Sequence, residues 1–173
     1  MSGTLSLYGF TVPVLIRGLR SLSAIIDKAK IYAAENKIEE TVLTGARLFP
    51  NMFAFSRQVQ IACDMSKGCG SRLSGLDMPS FADTETTFDE LKERIAKTID
   101  YLESLPADPI NAAGDKVITF KAGPSELTFN GADYVTEWVY PNFYFHCTTA
   151  YNLLRHNGLA IGKPDFLGLK PQG

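Results

Sequence analysis

The chain has 173 residues, 45% of them apolar, 11% aromatic and 21% charged, with a formal net charge of −2. That length and apolar content describe one folded domain spanning residues 1–173 and exclude a disordered or collagen-like chain. Seventeen basic against nineteen acidic side chains remove the electrostatic excess that supplies most nucleic-acid affinity, so nucleic acid is not an expected partner.

Met1 to Phe10 lacks the basic start and apolar run of a signal peptide, and charges interrupt every hydrophobic stretch short of the ~20 residues a membrane span needs. The expectation is a cytoplasmic protein that does not enter a membrane. Three cysteines, Cys63, Cys69 and Cys147, form no Cys-x-x-Cys motif and no even set, which reads as reduced, buried thiols.

In chain order, Leu15, Leu19, Leu22, Ile26, Ala29 and Ala33 recur in steps of three and four, with Arg17, Arg20, Asp27, Lys28 and Lys30 off the stripe. This spacing predicts a long first helix, with Pro13 either in its first turn or kinking a helix begun near Thr4. Ile38 to Leu48 reads as a connection holding one short helix, after which Asn51 is the expected N-cap of a second long helix. The core stripe of that helix is Met52, Phe55, Val59, Ala62, Ser66, Cys69 and Leu73, with Arg57, Asp64 and Lys67 outside it and Gly68 and Gly70 fraying its end.

Thr87 and Glu90 fit a capping box ahead of Phe88, Leu91, Ile95 and Leu102, a third helix ending before Pro106. Asp83, Glu85, Asp89 and Glu90 crowd its start and read as complements to the helix's positive end. Val117–Lys121 and Glu126–Phe129 flank Ala122-Gly-Pro-Ser125 as a hairpin at about 117–129 with a four-residue loop. A fourth helix runs from Gly131, turns Val135, Trp138, Val139, Phe143, His146, Ala150, Leu153 and Leu154 inward, bends at Pro141 and stops at Asn157-Gly158. Residues 159–173 read as an irregular tail. The fold class is therefore all-α, a four-helix bundle with a small β-hairpin inserted between helices three and four.

Several segments carry a resemblance: Val12-Pro-Val-Leu-Ile-Arg-Gly-Leu19, Leu48-Phe-Pro-Asn-Met-Phe53 leading into Arg57-Gln-Val-Gln60, and Phe81-Ala-Asp-Thr-Glu-Thr-Thr-Phe88. With the hairpin, Pro141-Asn-Phe-Tyr-Phe-His146 and Arg155-His-Asn-Gly158, they resemble an uncharacterised domain-of-unknown-function family in the DinB/YfiT-like superfamily of four-helix bundles. The resemblance covers nearly the whole chain and implies that fold. The superfamily also includes metal enzymes and thiol-cofactor-dependent transferases and isomerases, typically with three histidines on metal, one from the second helix and two, four apart, from the last.

This chain departs from that pattern, for it has only two histidines, His146 and His156. Ten helical residues separate them by ~15 Å and roughly 80° of rotation, so they cannot share bonds of ~2 Å to one ion. The four-apart spacing pairs His146 with Asn142, whose amide is a poor ligand for zinc or nickel. No cofactor is expected, and a divalent metal is disfavoured.

His146 remains as the candidate acid or base, an imidazole in an otherwise apolar row. Asn142 and Trp138 precede it by one and two turns, and Gln58 occupies a core position on the second helix, so these three are candidate ligand-binding residues. The blander reading, favoured over catalysis, is that Gln58, Asn142 and His146 simply satisfy one another and the carbonyl freed by Pro141. His156 reads as a C-terminal cap, and Cys147 points about 100° from His146, so the two form no dyad. Neither Thr148 nor Thr149 has an oriented base, and no Gly-x-Ser-x-Gly, Gly-x-Gly-x-x-Gly or Walker pattern is present. Tyr134, Tyr140, Phe143, Tyr144, Phe145 and Tyr151 exceed what one helix face can bury, which points to a homodimer interface or a pocket.

The expected function is thus binding or transformation of a small apolar molecule between the second and fourth helices by His146 acid/base chemistry without metal, as in an isomerase or cyclase. Two alternatives stand beside it. One is a metal- or thiol-cofactor-dependent transferase or isomerase of the DinB superfamily with a rebuilt site, and the other is a non-enzymatic dimeric binding module.

Overall fold

The computed structural model describes residues 6–169. Four long helices carry the architecture: α1 (Val12–Glu35), α3 (Phe55–Ser74), α4 (Phe88–Glu103) and α7 (Tyr140–His156). Short helices α2 (Glu40–Thr44) and α5 (Ala107–Asn111) lie in the connections, and a hairpin of β1 (Val117–Ala122) and β2 (Ser125–Asn130) precedes the last long helix. That helix is approached through a turn, α6 (Gly131–Asp133), and a π-helical stretch at Tyr134–Val139. A final short helix, α8 (Lys163–Phe166), folds back on α1. Among the described residues no helix is long and apolar enough to cross a membrane.

The apolar stripes meet as their spacing requires. Leu15, Leu19, Leu22, Ile26, Ala29 and Ala33 of α1 are all buried, and α3 packs against both α4 and α7 while α1 covers α4. Pro13 sits in the first turn of α1, where its missing N–H costs nothing; Thr4 lies outside the described residues. The Thr87 capping box forms in full, with Thr87 Oγ1 accepting from the Glu90 amide and Glu90 returning to the amides of Thr86 and Thr87. Those bonds hold the Glu90 carboxyl down at about 2.

Four local expectations are corrected. The N-cap of α3 is Ala54 rather than Asn51, because the chain keeps turning through Met52, whose amide bonds the Phe49 carbonyl. Gly68 and Gly70 do not fray α3; both are buried inside it, and a side chain at Gly70 would strike Leu105, so the glycine admits the segment after α4. The helix ends instead at Gly75, whose φ of 79° is the left-handed cap. The hairpin turn holds only Gly123 and Pro124, since Ala122 pairs with Ser125. The tail is also not wholly irregular: α8 is tied down by Lys28 Nζ on Asp165 at 2.5 Å and by Phe166 edge-on to Tyr151.

Charge placement differs as well. Lys67 is buried, its ammonium 3.9 Å from the Phe81 ring centroid, 3.1 Å from Asp64 and donating to the Pro79 carbonyl. Arg94 of α4 is buried too and pairs with Asp64, Asp83 and Glu85, each at 2.9 Å. Asp83 and Glu85 therefore serve this guanidinium rather than the helix end, while Asp89 reaches Lys30 at 2.5 Å. The network clasps the segment between α3 and α4 onto both helices.

Gly131 marks the tightest backbone approach, because a Cβ there would collide with the Ala113 carbonyl. Gly131→Ala is expected to destabilise the fold by about 1–3 kcal/mol or more, read by urea unfolding; an unchanged midpoint would show that the hairpin can shift freely.

Candidate functional site

The site is set by where two helix faces meet. Gln58 lies one turn into α3, between Phe55 and Ala62, and His146 lies on the face of α7 turned toward α3; both are buried. The imidazole Nδ1 is 2.6 Å from Gln58 Oε1, and Gln58 Nε2 donates to the Phe53 carbonyl at 3.1 Å. These two bonds determine the tautomer. With its nitrogen committed to Phe53, the Gln58 amide offers only its oxygen to the ring, so Nδ1 carries the hydrogen and donates. Neutral imidazole then holds its lone pair on Nε2.

That second nitrogen has no hydrogen-bond partner among the described residues, and it is not one of the sealed, unpaired atoms, which are Thr11 Oγ1 and Arg94 Nε. Burial pushes the ring's pKa below its ordinary value of 6.5, and the nearby Arg57 guanidinium lowers it further. Phe145 stands edge-on to the imidazole with centroids 5.2 Å apart and remains more than half exposed. The result is a neutral imidazole in one tautomer, its basic nitrogen without a hydrogen-bond partner among the described residues, with an exposed aromatic ring and a cation close by.

Of the expected constellation, the structure brings Gln58 and His146 together and leaves the other two apart. Asn142 Nδ2 donates to the Trp138 carbonyl at 2.7 Å rather than to either partner. Trp138 packs on the hairpin, 5.4 Å from Phe120 and 6.4 Å from Phe129. The cause lies in the backbone. Pro141 has no N–H to return, and just upstream the chain widens into i→i+5 bonding over Tyr134–Val139. A four-residue step no longer returns to the same face there, so Trp138 leaves the line through Asn142 and His146. The anticipated three-way polar cluster is thus a two-residue bond plus a separate bond from Asn142 to its own helix's backbone. His156 lies exposed in the last turn of α7, and the cap position belongs to Asn157, whose Nδ2 donates to the Leu153 carbonyl at 2.8 Å.

Sequence reasoning did not find the role of Phe53, since a backbone carbonyl leaves no residue-type signal. It also missed an apolar cavity of about 220 Å³ on the opposite side of α7, between α1, α7 and the segment around α8. His146 is not among its lining residues.

The three-nitrogen metal site implied by the superfamily does not fit these residues. Asn142 presents an amide where the four-apart pattern needs an imidazole, the second long helix carries no histidine, and among the described residues no three His, Cys, Asp or Glu side chains converge.

Comparison with known proteins places this geometry in a family. The model of a domain of unknown function, DUF1993, matches residues 7–167. A solved structure described as a DinB family member protein from Shewanella denitrificans is 40% identical, with a TM-score of 0.85 over 96% of this chain and 94% of that one. No curated protein matches. The chain belongs to the DUF1993 family, an uncharacterised DinB-like family of helical proteins.

Proposed function

We propose that this DinB-like protein binds a small, largely apolar molecule at the edge of the α3–α7 contact, where His146 moves a proton. In this reading Nε2 takes a proton from the ligand as the bond to it breaks, and the resulting Nε2–H returns it to a different atom. Isomerisation, cyclisation or intramolecular addition balances this way with no oxidant or co-reactant. The observation that carries the reading is the Phe53 carbonyl–Gln58–His146 relay, which leaves an unengaged lone pair on a ring of lowered basicity. Gln58 acts as a positioning residue, and the Arg57 guanidinium would favour an anion formed by proton removal. Its three cysteines are buried and unbridged, which suits a cytoplasmic location.

A second reading rests on exposed rings. Phe49, Phe53 and Phe145 are each more than half exposed, a pattern that suits a homodimer interface without chemistry. Sedimentation velocity separates the two: a dimer split by Phe145→Asp supports the interface, whereas a monomer at low micromolar concentration removes it.

For the principal reading, a thermal-shift screen of small carbonyl- and ring-containing metabolites should yield a compound that stabilises wild type and not His146→Ala. A screen in which the two proteins respond alike would overturn it. Gln58→Leu strands the Nδ1 donor and should cost about 1–3 kcal/mol of stability, with a weaker shift from the same compound.

The pH dependence has a definite sign. A folded-state pKa below the unfolded 6.5 means that the unfolded chain binds more protons between the two values. The contribution of His146 is present above pH 6.5 and is lost as pH falls through the lowered value. Wild type should therefore lose stability relative to His146→Asn on acidification below 6.5, measured as the difference in Tm. Parallel curves would show an unperturbed ring.

A further inference from the structure

The cavity behind α7 has walls of distinct chemistry. On α1, Gly18 is small where it faces α7, and a side chain there would come within 2.6 Å of the Phe143 ring. Bare backbone at Gly18 lets the Phe143 ring lie against α1. Leu22 and Ile25 continue the α1 wall, Cys147 lies one turn past Phe143, and Phe166 and Leu167 close the far side. That closing wall is held by the Lys28–Asp165 pair, the Phe166–Tyr151 contact and Gly168, which packs so closely on Ser21 that a side chain would meet its hydroxyl.

The body of the space is apolar, and its rim is not. Arg17 lines it from an exposed position and makes no ion pair or side-chain hydrogen bond among the described residues, unlike Arg20, which pairs with Glu103 at 2.6 Å. Tyr144 lines the same space; burial raises its phenol's pKa while Arg17, close by, opposes the rise. A fixed cation and a phenolic donor at the rim of an apolar cavity select an anion with a greasy body. Size narrows the class further. A cavity of about 150 Å³ holds benzene, so about 220 Å³ admits one ring, or a branched chain of similar bulk, with a short acidic arm.

We infer that the cavity between α1, α7 and α8 is a binding site for a small monocarboxylate with an aromatic or branched aliphatic body, the carboxylate held by Arg17 and Tyr144. It is separate from the His146 edge and does not depend on chemistry there.

Phenylacetate and its neutral counterpart phenylacetamide are suitable probes, titrated into ¹⁵N-labelled full-length protein. Phenylacetate should give saturable shifts at the amides of Gly18, Phe143 and Cys147 and bind more tightly than the amide. Arg17→Gln, a change at an exposed position, should weaken phenylacetate by about 5- to 10-fold and leave phenylacetamide unaltered. Equal binding of acid and amide, indifference to Arg17→Gln, shifts mapping away from these residues, or no saturable shift with either probe would each overturn the assignment. Cys147→Leu, confirmed folded by circular dichroism, should fill the space and abolish both titrations; undiminished binding would count against the cavity as the site.

Discussion

One side-chain amide organises the functional edge of this molecule. Gln58 spends its nitrogen on the Phe53 carbonyl and its oxygen on His146, so the loop entering α3, the first turn of that helix and the middle of α7 are linked through a single group. Both bonds are largely shielded from water, where an unpaired partner would cost more than either bond contributes. The directionality follows without further assumption: the amide has one donor end and one acceptor end, and using the first dictates what the ring must do. An apolar residue at position 58 would leave the imidazole free to rotate and exchange tautomers, while a second imidazole there would suit a metal instead of an orienting bond.

The electrostatic counterpart sits on the other face of α3. Arg94 and Lys67 are buried cations placed among Asp64, Asp83 and Glu85, and one of these carboxylates, Asp83, also pairs with Arg57. Arg57, the cation that lowers the basicity of His146, is therefore anchored in the network that clasps the α3–α4 connection. Loop conformation and imidazole basicity share a component, even though the carboxylates stand well away from the ring in sequence.

Much of the fold was legible in the residues because it depends on periodicity and short-range capping. The stripes of α1 and α3, the Thr87–Glu90 box and the Asn157-Gly158 stop are all local signals, and the family segments match across nearly the whole chain. What escaped was non-local. Lys67 read as lying outside the core stripe, and Arg94 drew no reading, because partners of both come from a turn-rich segment with no periodicity. Gly70 looked like a breaker because the side chain that fills its space, Leu105, lies beyond another helix. At the candidate site the Gln58–His146 pairing could be anticipated, since both occupy core positions on helices that face each other. Trp138 could not be placed, because face arithmetic assumes 3.6 residues per turn and Tyr134–Val139 does not keep that pitch.

That widened stretch divides α7's neighbourhood into two rotational frames. Within it, Tyr134 and Trp138 address the hairpin; downstream, the helix addresses α3 and the cavity beside α1. A π turn amounts to one residue more than an α-helix needs, so deleting one position there would rewind the segment and swing everything before it by about 100°. The hairpin's stacking surface would be carried off the bundle while His146 kept its setting. The hairpin is in this sense an indexed attachment, and a single-codon change in relatives could redirect it without rebuilding the helices beneath.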